Sequence, residues 1–134
     1  MEHTAVYLNA LTEQIIGAAI DVHRVLGPGL LESAYEACLT FELVKRQLRV
    51  ECQKPLPLTY ERVKLNCAYK MDLVVEECVV VEVKAVSRLD RVHSAQLLSY
   101  LKLADLRIGL ILNFNVKVLL DGGVVRRVNR FPDL

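Results

Sequence analysis

The chain has 134 residues, 53% hydrophobic and 25% charged, with a mean hydropathy of +0.29, which describes one globular domain over residues 1–134 and excludes a disordered polypeptide. At this length folding hides about two-thirds of the unfolded chain's surface, enough for a self-standing core. With 17 Lys and Arg against 16 Asp and Glu, the formal net charge of +1 excludes a global field drawing in nucleic acid, so binding a polyanion requires a local basic face, a metal, a second subunit or a partner.

Leu11, Ile15, Ala19, Val22 and Leu26 recur at steps of three and four and predict an amphipathic helix over about residues 8–26. Gly27-Pro28-Gly29 breaks the chain, and Leu31, Tyr35, Cys38, Leu39 and Leu43 carry a second helix ending near Leu48. Arg49 to Tyr60 is apolar but holds Pro55 and Pro57, which favour an edge strand. Val63 to Val75 alternates, with Val63, Leu65, Cys67, Tyr69, Met71, Leu73 and Val75 on one face and Lys64, Asn66, Ala68, Lys70, Asp72 and Val74 on the other. That pattern predicts one long strand.

Glu76-Glu77 reads as a turn into Cys78 to Val86, a β-branched antiparallel partner near the sheet centre. Arg88 to Ala104 returns to helical spacing with Asp90 as N-cap. Leu106 to Asn113 is an apolar strand, and Lys117 to Leu120 with Val124 to Val128 predict a hairpin around Asp121-Gly122-Gly123. This order predicts an α/β sandwich around a mixed sheet, with Leu106 to Asn113 parallel to an earlier strand.

Cys38, Cys52, Cys67 and Cys78 form no CxxC or Cys/His knuckle and are expected to be reduced and mostly buried. The first residues lack a signal-peptide pattern and no run of 18 apolar residues occurs, so the expectation is a cytoplasmic protein without a membrane partner.

The chemistry concentrates at Glu82 and Lys84, which at i and i+2 leave the same face of a strand whose neighbours are valines. Burying such a pair costs several kcal/mol unless it is paired or metal-bound, and a self-satisfying ion pair is the plain alternative. A hairpin turning at Glu76-Glu77 brings Asp72 opposite Cys78 to Glu82, so two carboxylates can converge across neighbouring strands. Oxygen donors of this kind suit Mg²⁺, which takes one or two protein carboxylates plus phosphate oxygens. His23, alone late in the first helix, reads as structural rather than catalytic.

Asp72 with Glu82-Val83-Lys84 resembles the D...(D/E)XK signature of the PD-(D/E)XK nuclease superfamily, with Met71 where the name has Pro. Gln96 and Tyr100, at i and i+4 on the following helix with His93 extending the stripe, resemble the QxxxY element of its RecB-like branch. Gly29-Leu30-Leu31-Glu32-Ser33-Ala34-Tyr35 is similar to the motif of the GxxExxY family, a small PD-(D/E)XK-like group of prokaryotic proteins. Val22-His23, Leu26-Gly27-Pro28-Gly29 and Ile111-Leu112-Asn113-Phe114-Asn115 extend that resemblance from about Leu11 to Asn129.

The resemblance implies a restriction-endonuclease-like fold: an αβββαβ core with a central mixed sheet flanked by helices, plus an N-terminal helix and a C-terminal β-hairpin. It implies a Mg²⁺-dependent nuclease, with Mn²⁺ as a substitute, hydrolysing phosphodiester bonds in DNA or RNA. Asp72, Glu82, the Val83 carbonyl and Glu32 would hold the metal, Lys84 would act beside them, and Gln96, Tyr100 and Tyr35 would position substrate. Glu36, one turn beyond Glu32, falls outside the motif. Arg126, Arg127 and Arg130, with Lys70, Arg88 and Arg91, form the local basic surface for nucleic acid, which a homodimer would double. Two alternatives stand beside this reading: a catalytically silent binding or interaction module, and a metal-dependent nucleotide phosphohydrolase.

Overall fold

Thr4 opens the first helix by accepting a hydrogen bond from the Tyr7 amide at 3.1 Å, so α1 spans Ala5–Leu26 and starts ahead of the expected residue 8. The computed structural model describes residues 3–66 and 69–133. Gly27 and Gly29, at φ 65° and 103°, take left-handed backbone that favours glycine and turn the chain into α2, Glu32–Lys45. His23 holds the far end of the fold in place, its Nε2 lying 2.7 Å from the Val116 carbonyl and 3.1 Å from that of Phe114. Its structural reading therefore stands.

The strands are β1 (Val50–Pro55), β2 (Leu58–Tyr60), β3 (Val63–Leu65), β4 (Lys70–Val75), β5 (Val79–Lys84), β6 (Ile108–Asn113) and β7 (Val124–Val128), with α3 (Arg91–Ala104) between β5 and β6. Five of them form one mixed sheet in the order β1-β4-β5-β6-β7, with β5 and β6 parallel and the other neighbours antiparallel. Thus α2-β1-β4-β5-α3-β6 follows the expected αβββαβ order, and β1, which ends on Pro55, is an edge strand as that proline predicts. Alternation along β5 sends Val79, Val81 and Val83 toward α1 and α2, while Val80 packs with Leu97, Tyr100 and Leu101 of α3. Gly109 of β6 makes the α3 layer possible, because a Cβ there would lie 2.6 Å from Leu97 Cδ1 and 3.2 Å from the Val80 carbonyl oxygen.

Three expectations need correction. The single strand from Val63 to Val75 is split: Val63–Leu65 pairs with Leu58–Tyr60 across Glu61 and Arg62, both at positive φ, and only Lys70–Val75 joins the main sheet. Period-two alternation marks extended chain but not its pairing partner. Met71 also leaves the face of Leu73 and Val75 and packs with Val74 in the α3 cluster, while Cys67 and Ala68 lie outside the described residues.

The C-terminal hairpin is absent as well. Residues 117–120 are not a strand, and β7 pairs with β6 instead. Leu119 turns into the core, while the Asn113 amide donates to the Gly123 carbonyl and closes the connection. Finally, among the described residues the thiols are not mostly buried: Cys78 is, but Cys38 is half-buried and Cys52 exposed. Among the described residues no helix is long and apolar enough to cross a membrane.

Candidate metal centre

Glu76 and Glu77, both at positive φ, make the tight turn between β4 and β5 and set the register Val75↔Val79, Val74↔Val80 and Leu73↔Val81. The ladder stops there. At the next step the Asp72 amide donates to Glu82 Oε2 at 2.8 Å, and the Val83 amide donates to Asp72 Oδ2 at 2.8 Å. Each carboxylate thus takes an amide of the opposite strand in place of backbone pairing, and the two acids converge as the hairpin argument expects. The β1 side is interrupted too: Cys52↔Leu73 and Lys54↔Met71 pair, while Gln53, at φ 50° between them, does not pair with Asp72.

Both helical layers reach this gap. Glu82 is 4% exposed, and burial first, then the charge of Asp72, pushes its carboxyl up to about 8 against the opposing pull of the Asp72 amide and Lys84. Lys84 is half-buried two residues further along β5. From α3, buried Tyr100 packs edge-on to Tyr69 at 6.2 Å, and its hydroxyl is raised by burial and then by the charges of Glu82 and Asp72. Gln96, one turn earlier, is exposed. His93, three residues before Gln96, accepts the Asp90 amide at 2.9 Å and closes the start of α3.

From α2, Glu32 accepts the Ala85 amide at 3.3 Å, just beyond β5. Glu36 is joined to Asp72 through Gln53, whose Nε2 donates to Glu36 Oε1 at 2.8 Å and Oε2 at 3.1 Å and to Asp72 Oδ1 at 3.3 Å. Burial raises the Glu36 carboxyl, the Gln53 bond opposes that, and the charges of Asp72 and Glu32 add to it. Tyr35 requires a correction. It is fully buried, stacked on Phe114 at 4.5 Å, and its hydroxyl donates to the Gly27 carbonyl while accepting the Leu30 amide. It braces the turn into α2 and cannot touch a substrate.

A model of the PD-(D/E)XK nuclease superfamily matches residues 9–128. The chain belongs to this superfamily. No curated protein and no solved structure matches it. Members of the PD-(D/E)XK superfamily generally use divalent metal ions, so the donor set here can be tested for fit. Its carboxylate oxygens are the donors a hard cation takes, with the Lys84 ammonium beside them. Among the described residues no three Asp, Glu, His or Cys side chains form a ready-made cage.

Two residues that matter here were not singled out from sequence. Gln53 was hidden in the Pro-dotted stretch because only the β1–β4 register sets it against Asp72. Asn113, the register partner of Lys84, accepts the Val86 amide at 3.1 Å and donates to the Val86 carbonyl at 3.0 Å, clamping the chain that leaves the (D/E)XK strand. Its place at the end of an apolar strand was the available clue.

The basic residues divide into two groups. Arg126 bonds Asn9 and lies over the Phe131 ring, and Arg130 pairs with Asp105. Lys70, Arg88 and Arg91 are exposed, the last two lining a cavity of about 370 Å³ at the start of α3. A cavity of about 300 Å³ lined by Cys78, Leu106 and Arg107 lies at the opposite end of β5 and β6, away from the carboxylates.

Proposed function

We propose that the chain is a divalent-metal-dependent nuclease, hydrolysing phosphodiester bonds in DNA or RNA. The observation that carries this is the reciprocal pair of bonds joining Asp72 and Glu82 across the opened β4–β5 ladder, with Lys84 on the same face as Glu82. Asp72 and Glu82, with the Val83 carbonyl and Glu32 beside them, would hold Mg²⁺, or Mn²⁺ in its place. When bound, the cation would supply a water of lowered pKa and neutralise charge on the phosphate.

Around it, Lys84 holds a positive charge where the phosphate becomes more negative, an electrostatic contribution that grows in the transition state. Glu82, whose carboxyl is raised by burial, would have to give up its proton to act as a ligand, which would couple metal binding to proton loss. Tyr100 bears a hydroxyl next to the carboxylates, and Gln96 stands at the exposed rim to touch the substrate backbone. Lys70, Arg88 and Arg91 give the nucleic-acid backbone a local basic track that the net charge of +1 conceals.

The GxxExxY grouping gains a physical rationale in the same reading: Gly29 takes φ 103°, Glu32 reaches the end of β5, and Tyr35 ties Gly27 to Leu30. The QxxxY reading gains support from Tyr100, buried on α3 one turn after Gln96.

Cleavage of single- and double-stranded DNA and RNA, with Mg²⁺, Mn²⁺ or EDTA, tests the proposal. Wild type should cleave one of these polymers only with metal, and Lys84→Ala should slow the reaction by about 10²- to 10³-fold, as for loss of one preorganised electrostatic group. Equal activity of wild type, Lys84→Ala and Asp72→Ala would reject it. Tight metal-independent binding without cleavage would mark a silent module, and hydrolysis of free nucleotides alone a phosphohydrolase.

A further inference from the structure

Gln53 has two properties that neither its strand nor the superfamily signature calls for. It holds left-handed backbone, φ 50°, in the middle of β1, where a non-glycine residue is strained. That conformation removes it from the ladder opposite Asp72 and sends its side chain between two acids. There one amide nitrogen lies within 3.3 Å of three carboxylate oxygens, two from Glu36 and one from Asp72. Acceptors alone surround it, so the NH₂ end faces them. A partial positive charge thus sits among oxygens of the type a hard cation takes.

Resting on the metal-centre reading, we propose that Gln53 is a placeholder for the cation. Its amide joins Glu36 to Asp72, and a divalent cation beside Asp72 would displace it and gain Glu36 as a further ligand. Gln53 is exposed, so its side chain can swing into solvent without disturbing the core. Gln53 is a positioning residue on this account, acting through Glu36 and Asp72.

The placeholder competes with the metal, so removing it strengthens metal binding, whereas losing a mere structural support would weaken it. The measurement is Mn²⁺ affinity of the whole chain by electron paramagnetic resonance of the free ion, with no substrate present. Wild type is compared with Gln53→Ala, Glu36→Gln and Asp72→Asn. Gln53→Gly serves as a second variant, because glycine accepts φ 50° without strain and keeps the backbone turn.

Both Gln53 variants should bind Mn²⁺ about three- to tenfold tighter, the scale of exposed charge-assisted hydrogen bonds released from competition. Glu36→Gln should bind it about tenfold more weakly, through loss of one carboxylate ligand. Unchanged or weaker binding in both Gln53 variants, with wild-type binding that Asp72→Asn abolishes, overturns the placeholder and leaves the metal centre intact. Wild type that shows no Asp72-dependent Mn²⁺ binding overturns both.

Discussion

Replacing Glu82 by Gln removes an ionisable carboxyl from a position 4% exposed, yet leaves an oxygen to accept the Asp72 amide. Burial, reinforced by Asp72, moves this carboxyl from 4.5 to about 8 in the folded protein. As pH rises above 4.5 the unfolded chain ionises Glu82 while the folded protein keeps it neutral. The stability contributed by the neutral carboxyl is therefore complete below its unfolded value and is lost as pH rises through about 8.

At about 1.36 kcal/mol per unit, the loss is about 3 kcal/mol by pH 7 and about 4 to 5 kcal/mol above pH 8. Gln has no proton to lose. In EDTA, urea denaturation from about pH 5 to pH 9 should show Glu82→Gln gaining on wild type by that amount, with the difference smallest at the acid end. A divalent cation should reverse the order, because it stabilises only the protein that can present a carboxylate. A Gln variant with no pH-dependent advantage in EDTA, or one less stable than wild type at pH 8, would refute a Glu82 carboxyl kept neutral by its surroundings.

Other substitutions probe the frame that carries the centre. Gly109→Ala puts a methyl 2.6 Å from Leu97 Cδ1 and should cost about 1–3 kcal/mol by urea denaturation, as overpacking does. Tyr35→Phe keeps the Phe114 stack but orphans the Gly27 carbonyl and Leu30 amide; a loss of about 1–2 kcal/mol in stability is expected. Because Tyr35 is fully buried, KM for nucleic acid should remain unchanged in this variant at a temperature where it is folded.

Local chemistry in this chain is written where neighbours in sequence decide it. The Gly27-Pro28-Gly29 break, the helical stripe from Leu11 to Leu26 and the capping position of Asp90 follow from spacing and backbone preference, and each recurs in the structure. Asp72 against Glu82 was legible for the same reason: a tight turn at Glu76-Glu77 fixes the register of the strands it joins.

What spacing did not reveal depends on partners distant in the chain. Val63–Leu65 alternates as well as Lys70–Val75 does, but pairs with Leu58–Tyr60 instead of entering the sheet. Val124–Val128 has its partner in β6 rather than in residues 117–120. Tyr35 at helical spacing from Glu32 does not show which of them faces the core. Gln53 and Glu36 come within reach of Asp72 only because β1 and α2 meet at the opened edge of β4.

The central claim is that Asp72 and Glu82 together hold a divalent cation. Crystals of the protein soaked in Mn²⁺, with anomalous differences measured at the manganese edge, test it most directly. The account predicts an anomalous peak in contact with both carboxylates beside Lys84, and its loss in Asp72→Asn. Saturating Mn²⁺ that leaves this gap empty, or binds only at other surface acids, would contradict it.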